Sequence, residues 1–291
     1  MNHAIFKILV PIDFSEQSYS GLRQAKYMAE GRAVKIVALH VIREHSSPWN
    51  VFTSEEKNVF VEKTHDKLRL LADMGNINRE QFSTRIEFGK LCDTILDISA
   101  EMNVDCIIMG TSAANNIKKK IIGSNALRVV SEAHVPVITV KSNCEIDNFE
   151  NIYLPLDLNK ETREKVPLAI KIAKLLDSRI KVVSFVSTKD ELVNSNLKRQ
   201  AQLVRDFVME RGVDCTAEVL FFESGSRKEK MVEYMNNNPG MAIITTHQQP
   251  EIVDFLLGSF AADVIHLSQT PVMSIIPIGV IKYGNEMPGI R

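Results

Sequence analysis

The sequence predicts an α/β protein built as two tandem, doubly wound parallel-sheet domains of five strands each. Three observations carry that reading. Short apolar runs rich in β-branched residues alternate with stretches of helical spacing. Such alternation implies a parallel sheet with helices on both faces. The length of 291 residues suits two domains at roughly 150 residues each. The chain also repeats itself. "KILVPIDFSEQS" returns as "NIYLPLDLNKET", so that Asp13 and Asp157 stand 144 positions apart. "VKIVALHV" returns as "IKVVSFV" with an offset of 145, and "IIGSNALRVVSEAHVPVITV" returns as "LLGSFAADVIHLSQTPVMSII" with an offset of 135. Ordered matches at nearly constant offset mark a tandem duplication. The expected domains are residues 1–143 and 150–279, joined by a polar linker near "KSNCEIDNFE".

In the first half, Phe6–Pro11 reads as the opening strand. Ser15 is a candidate N-cap for a helix reaching Glu30, with Leu22, Ala25, Met28 and Ala29 at helical spacing. Val34–Val41 is the second strand. "SSPWNVF" reads as a loop, with lone Trp49 packed against its own domain rather than over a ligand. Thr84–Phe88 is the third strand and Leu91–Met102 the next helix. Asp105–Met109 is the fourth strand, Ser124–Ala133 a helix, and Val135–Val140 the last strand. Ligands of such folds sit beyond the carboxyl ends of the strands, where the strand order switches. Asp13, Val41 and Gly110 lie at those ends and are expected to converge.

Composition narrows the function. A net charge of −1 provides no basic field for nucleic acid or an anionic membrane. No apolar run approaches the ~18 residues of a membrane span, and the start is polar where a signal peptide would build its apolar core. Cys92, Cys106, Cys144 and Cys215 form no CxxC pair, which suits reduced thiols and a cytoplasmic location, with Cys106 a core residue. There is no GxxxxGK[ST], and "PIDFSEQS" lacks any glycine, which removes a P-loop and a dinucleotide fingerprint. The clustered acids of a phospho-receiver domain and the "SGGxDS" of ATP pyrophosphatases are also absent.

What remains is Asp13 after the first strand, Val41 closing the second, and "GTSAANNIKKKIIGSN". Together these residues resemble the universal stress protein (UspA) family in its tandem form. The family's loop Gly-x2-Gly-x9-Gly-[Ser/Thr] falls on Gly110, Ala113, Gly123 and Ser124 with the family spacing. The resemblance implies a Rossmann-like, adenine nucleotide alpha hydrolase-like fold and a stress-response protein that binds ATP, with or without a divalent cation. Pro11, Ile12, Asp13 and Val41 would surround adenine and ribose. Met109, Gly110, Gly123, Ser124 and Asn125 would take ribose and phosphates. In the family the final strands pair across a dimer, so "VPVITV" and "TPVMSII" are expected to pair within this chain, with homo-oligomers left open.

Ala113 departs from the family. If that position needs a left-handed backbone, its Cβ costs about 1–2 kcal/mol. The second half departs further, with Thr245, Gln248, Gly258 and Ser259 at the four positions. The competent site is therefore expected in the first half only. A helix begins at Gly123-Ser124, where open amides and the helix dipole favour an anion. Lys118, Lys119 and Lys120 read as a solvated run. His247, Asp263 and His266 lack a further ligand at recognisable spacing, so no metal is expected. No general base or nucleophile–His pair stands beside the loop, which disfavours slow ATP hydrolysis. A ligand-free interaction or scaffold module is the other alternative to a nucleotide-binding regulatory protein.

Overall fold

The structure is a computed structural model that describes residues 5–43, 49, 51–112, 123–144, 149–157, 164–246 and 259–277. Apolar runs such as "KILVP" are buried on both faces: Ile8, Leu9 and Val10 are all fully enclosed. Only a strand inside a parallel sheet covered on both sides needs three successive apolar residues. Each such side chain stabilises the fold by about 1.5–3 kcal/mol.

The chain divides into two compact units, one ending at Asn143 and the other beginning at Cys144. The first runs β1 (Phe6–Pro11), α1 (Glu16–Ala29), β2 (Val34–Ile42), α2 (Ser54–Met74), a 3₁₀ turn (Arg79–Gln81), β3 (Phe82–Phe88), α3 (Leu91–Glu101), β4 (Cys106–Thr111), α4 (Ser124–Glu132) and β5 (Val137–Lys141). Its strands are parallel in the order β3-β2-β1-β4-β5. The second runs β6 (Asn151–Pro155), α5 (Val166–Leu176), β7 (Arg179–Val186), α6 (Glu191–Met209), β8 (Cys215–Phe221), α7 (Arg227–Asn237), β9 (Met241–Thr245), α8 (Ser259–Leu267) and β10 (Val272–Ile275). Its order, β8-β7-β6-β9-β10, repeats the first and is again parallel. The strand order reverses beside β1 and β4, and beside β6 and β9, which leaves a crevice at the carboxyl ends of those pairs.

Ser15 caps α1 as expected, its hydroxyl accepting from the Ser18 amide at 3.2 Å. Several strand ends shift by one or two residues, and two differences from the sequence reading matter most. β4 extends to Thr111, so Gly110 lies inside the strand rather than beyond it. The 21-residue helix α2 was not foreseen. Its buried stripe is only Thr64, Leu68, Leu71 and Ala72, too narrow to stand out by periodicity. The signal that could have found it is the Thr53…Glu56 capping box. Cys106 is core, no disulfide forms among the described residues, and no described helix is long and apolar enough to cross a membrane.

Candidate functional site

A cleft of about 250 Å³ opens at the switch point of the first unit. The β1–β2 register places Pro11 opposite Leu39, so the ends of these strands form one wall. Pro11, Ile12, Asp13 and Val41 line it, with Leu39 contributing from two residues before Val41 on the same strand face. β4 supplies Met109 and Gly110, and α4 closes the far side with Gly123 and Asn125. Ser124, between them, is the first residue of α4 and is exposed. Ala113 and Lys118–Lys120 lie outside the described residues.

Asp13 is held by a local turn. The Ser15 amide donates to Asp13 Oδ1 at 3.0 Å, and the Ser15 hydroxyl donates to the same oxygen. Phe14 between them adopts φ 65°, a left-handed conformation that is strained for a bulky residue. Its ring lies 5.0 Å from that of His40 and 4.1 Å from the Lys67 ammonium of α2, contacts that hold the turn. His40 Nδ1 donates to the Ile12 carbonyl at 2.7 Å. Partial desolvation pushes the Asp13 carboxyl up, but the Ser15 hydroxyl and amide and Ser18 outweigh it and hold its pKa below the usual carboxylate value. Asp13 is thus an anionic acceptor suited to hydroxyl or amine donors.

Gly110 and Gly123 are glycines for different reasons. A Cβ on Gly110 would stand 1.5 Å from the Gln17 carbonyl oxygen, so α1 crosses β4 at a distance only glycine allows. A Cβ on Gly123 would meet nothing within 4 Å, and its φ of −54° suits any residue. Helix packing explains Gly110, whereas neither its backbone nor packing among the described residues explains Gly123. As the N-cap of α4, Gly123 offers no side chain to the first amides of the helix. α3 fixes that end: the Cys92 thiol lies 3.7 Å from Asn125 Oδ1, and Arg128 pairs with Asp93. Burial pushes the Cys92 thiol up, so it packs as a neutral group.

Several cleft residues were not read from the sequence. Ser15 and Ser18 were read for capping and helix formation, yet both face the cleft. Leu91 and Ile95 come from the first turns of α3, where spacing of four on a helix face was the available signal. Trp49 lines no part of it. Its ring packs 5.2 Å from Phe88 and 5.8 Å from Phe60, centroid to centroid.

The second unit treats the same positions differently. Asp157 Oδ2 is 3.0 Å from Arg227 Nη2 at the start of α7. Lys165 is enclosed, and its ammonium donates to the carbonyl of Pro155, the repeat partner of Pro11. Burial pushes Lys165 down to about 7, with Asp157 opposing that shift. Thr245 is buried at the end of β9 where the first unit has Gly110. Ser259 opens α8, while Gln248, Gly258 and His247 lie outside the described residues. Asp263 pairs with Lys228, and no group of three metal-ligating side chains forms among the described residues.

A doubly wound parallel domain with a part-apolar, part-anionic crevice at its switch point belongs to the open α/β class. Residues 5–141 match the model of the universal stress protein family. A universal stress protein of Methanocaldococcus jannaschii is 28% identical over 158 residues, spanning 46% of this chain and 94% of that protein. Universal stress protein G of Salmonella typhimurium is 26% identical over 140 residues, 46% of this chain and 97% of its own. In fold, the crystal structure of a universal stress protein from Archaeoglobus fulgidus covers 93% of this chain and 98% of its own, with a TM-score of 0.72 at 18% identity. The chain belongs to the universal stress protein family.

Proposed function

We propose that the first unit binds an adenine nucleotide, ATP, and that occupancy rather than turnover is its output, as in a regulatory stress-response protein of the cytoplasm. The observation that carries this reading is the cleft itself. It sets an anionic acceptor, Asp13, on one wall and the uncapped N-terminus of α4 on another, with apolar side chains between. Those parts suit sugar hydroxyls, phosphates and a base respectively. Pro11, Ile12, Asp13 and Val41 would hold the nucleoside end; Met109, Gly110, Gly123, Ser124 and Asn125 would hold the ribose and phosphates. Ala113 belongs to the same proposed loop.

The same proposal takes residues 150–279 as a second domain of the family that has given up the ligand. It also keeps the pairing of the two final strands within one chain, because a bare apolar edge strand invites association. A cysteine introduced into each strand should cross-link within the monomer, and cross-linking only between chains would reject that part.

Equilibrium titration with ATP tests the central reading. One site per chain is expected, lost in Asp13→Ala and kept in Asp157→Ala. Absence of binding at millimolar ATP would sink it and leave the interaction module in its place. Phosphate release at a steady rate would move the reading to a slow hydrolase.

A further inference from the structure

Lys141, the last residue of β5, is 4% exposed, and its ammonium has no hydrogen-bond or ion-pair partner among the described residues. A buried, unpaired cation is costly, and proteins compensate by pairing it or by neutralising it. Burial alone holds its pKa down, to about 8, with no carboxylate acting on it. The fold does not ask for a cation at this position. The repeat partner of Lys141, counted from Pro136 and Pro271, is Ile276, an apolar residue at the same strand end.

The β4–β5 register places Lys141 opposite Thr111, which lines the cleft. Paired residues of a parallel ladder project from the same face, and neighbouring strands lie only about 4.8 Å apart. That spacing is well within the length of a lysine side chain. Gly110, one residue earlier, presents the opposite face to α1. Thr111 shares the cleft with Gly123 and Asn125 of α4. Two independent features of positive character therefore stand at one end of the sheet: the first amides of α4, and an ammonium without a counter-charge among the described residues, next to Thr111 in register although Lys141 does not itself line the cleft. Asp13 supplies the negative character on the β1 wall.

We propose that Lys141 is the residue by which this cleft selects a phosphorylated ligand, its ammonium taking the anionic end of the nucleotide beside the start of α4. This rests on the nucleotide reading of the cleft and adds a specificity determinant to it. The polarity also orients the ligand, with hydroxyls toward Asp13 and phosphates toward Lys141.

Lys141→Met keeps the length and removes the charge, and Ile276 shows that an apolar side chain suits this strand end. ATP and adenosine are titrated against both proteins. ATP should weaken by about tenfold to a hundredfold in Lys141→Met, the usual effect of losing a charged hydrogen bond, while adenosine binds both proteins alike. A merely structural lysine would move both ligands together, and an unchanged ATP-to-adenosine ratio overturns this inference while leaving the nucleotide reading intact. Binding of neither ligand to the unaltered protein overturns both. A further readout needs no variant: inorganic triphosphate should displace ATP from the unaltered chain, and failure to do so overturns the anion contact.

Discussion

Asp13 and Asp157 stand at the same point of two repeats, after a strand ending in proline, yet they keep different company. Asp13 faces a cleft, held by the hydroxyl and amide of Ser15, and makes no ion pair among the described residues. Asp157 is matched by Arg227 at 3.0 Å beside the enclosed Lys165. One carboxylate has only local hydrogen bonds among the described residues, and the other is met by a cation of its own unit. A repeated position can thus keep its residue and change its surroundings, and neighbours decide what a charge does. The glycines point the same way: Gly110 is compelled by α1, whereas Thr245 at the matching place rules out so close an approach.

The largest expected effect tests that last contrast. Gly110→Val forces a side chain into the Gln17 carbonyl and should destabilise the first unit by ~3 kcal/mol or more. Thr245→Gly should cost about 1–2 kcal/mol, from lost packing and strand entropy. Urea unfolding of the two variants measures both, and equal losses would erase the difference between the crossings.

Ligand response comes next. At a hundredfold excess over its dissociation constant, ATP should stabilise the unit that binds it by ~2.7 kcal/mol. Amide hydrogen exchange, read unit by unit, should show that protection in residues 6–141 alone. Protection confined to residues 151–275 would reverse the assignment.

Removing the carboxylates should give the opposite ranking in stability. Asp157→Ala strands Arg227 and Lys165 and should cost the second unit about 2 kcal/mol. Asp13→Ala breaks only a local turn on an exposed group and should cost less than half as much. Thermal melts without ligand compare them, and a larger loss at Asp13 would show that Asp157 is not held by its cations.

The smallest effect is in pH. Lys165 has a folded pKa near 7 against an ordinary 10.5, so between those values the unfolded chain binds more protons. The stability of the second unit should therefore rise as pH climbs from 7, by at most about 1.4 kcal/mol per pH unit. Lys141, near 8, adds the same sign to the first unit only from about pH 8 upward. The low pKa of Asp13 contributes stability above the ordinary carboxylate value and loses it as the pH falls through the folded value. Hydrogen exchange at pH 7 and 8.5 should find the second unit stabilised first. Lys165→Met should abolish that slope, and its persistence would remove Lys165 as the cause.

Periodicity and repetition carried most of the fold. β1 and β4 read as strands because three or four apolar residues in succession have no place on a half-exposed helix, and the offsets of 144 and 135 showed the repeat without any contact being known. Strand ends also located Asp13, Val41 and Gly110, since a parallel sheet gathers its carboxyl ends. Helix α2 escaped because a narrow buried stripe among charged residues resembles a solvated segment. Pairings between residues far apart in sequence could be decided only by the tertiary structure. Arg227 meets Asp157, Lys67 lies over Phe14, and Lys141 ends β5 beside Thr111. The sequence by itself determined where the backbone would run and which positions were duplicated, since these depend on local periodicity. Which of two identical carboxylates meets a cation among the described residues was decided by packing alone, because a charge is set by what is brought within a few ångströms of it.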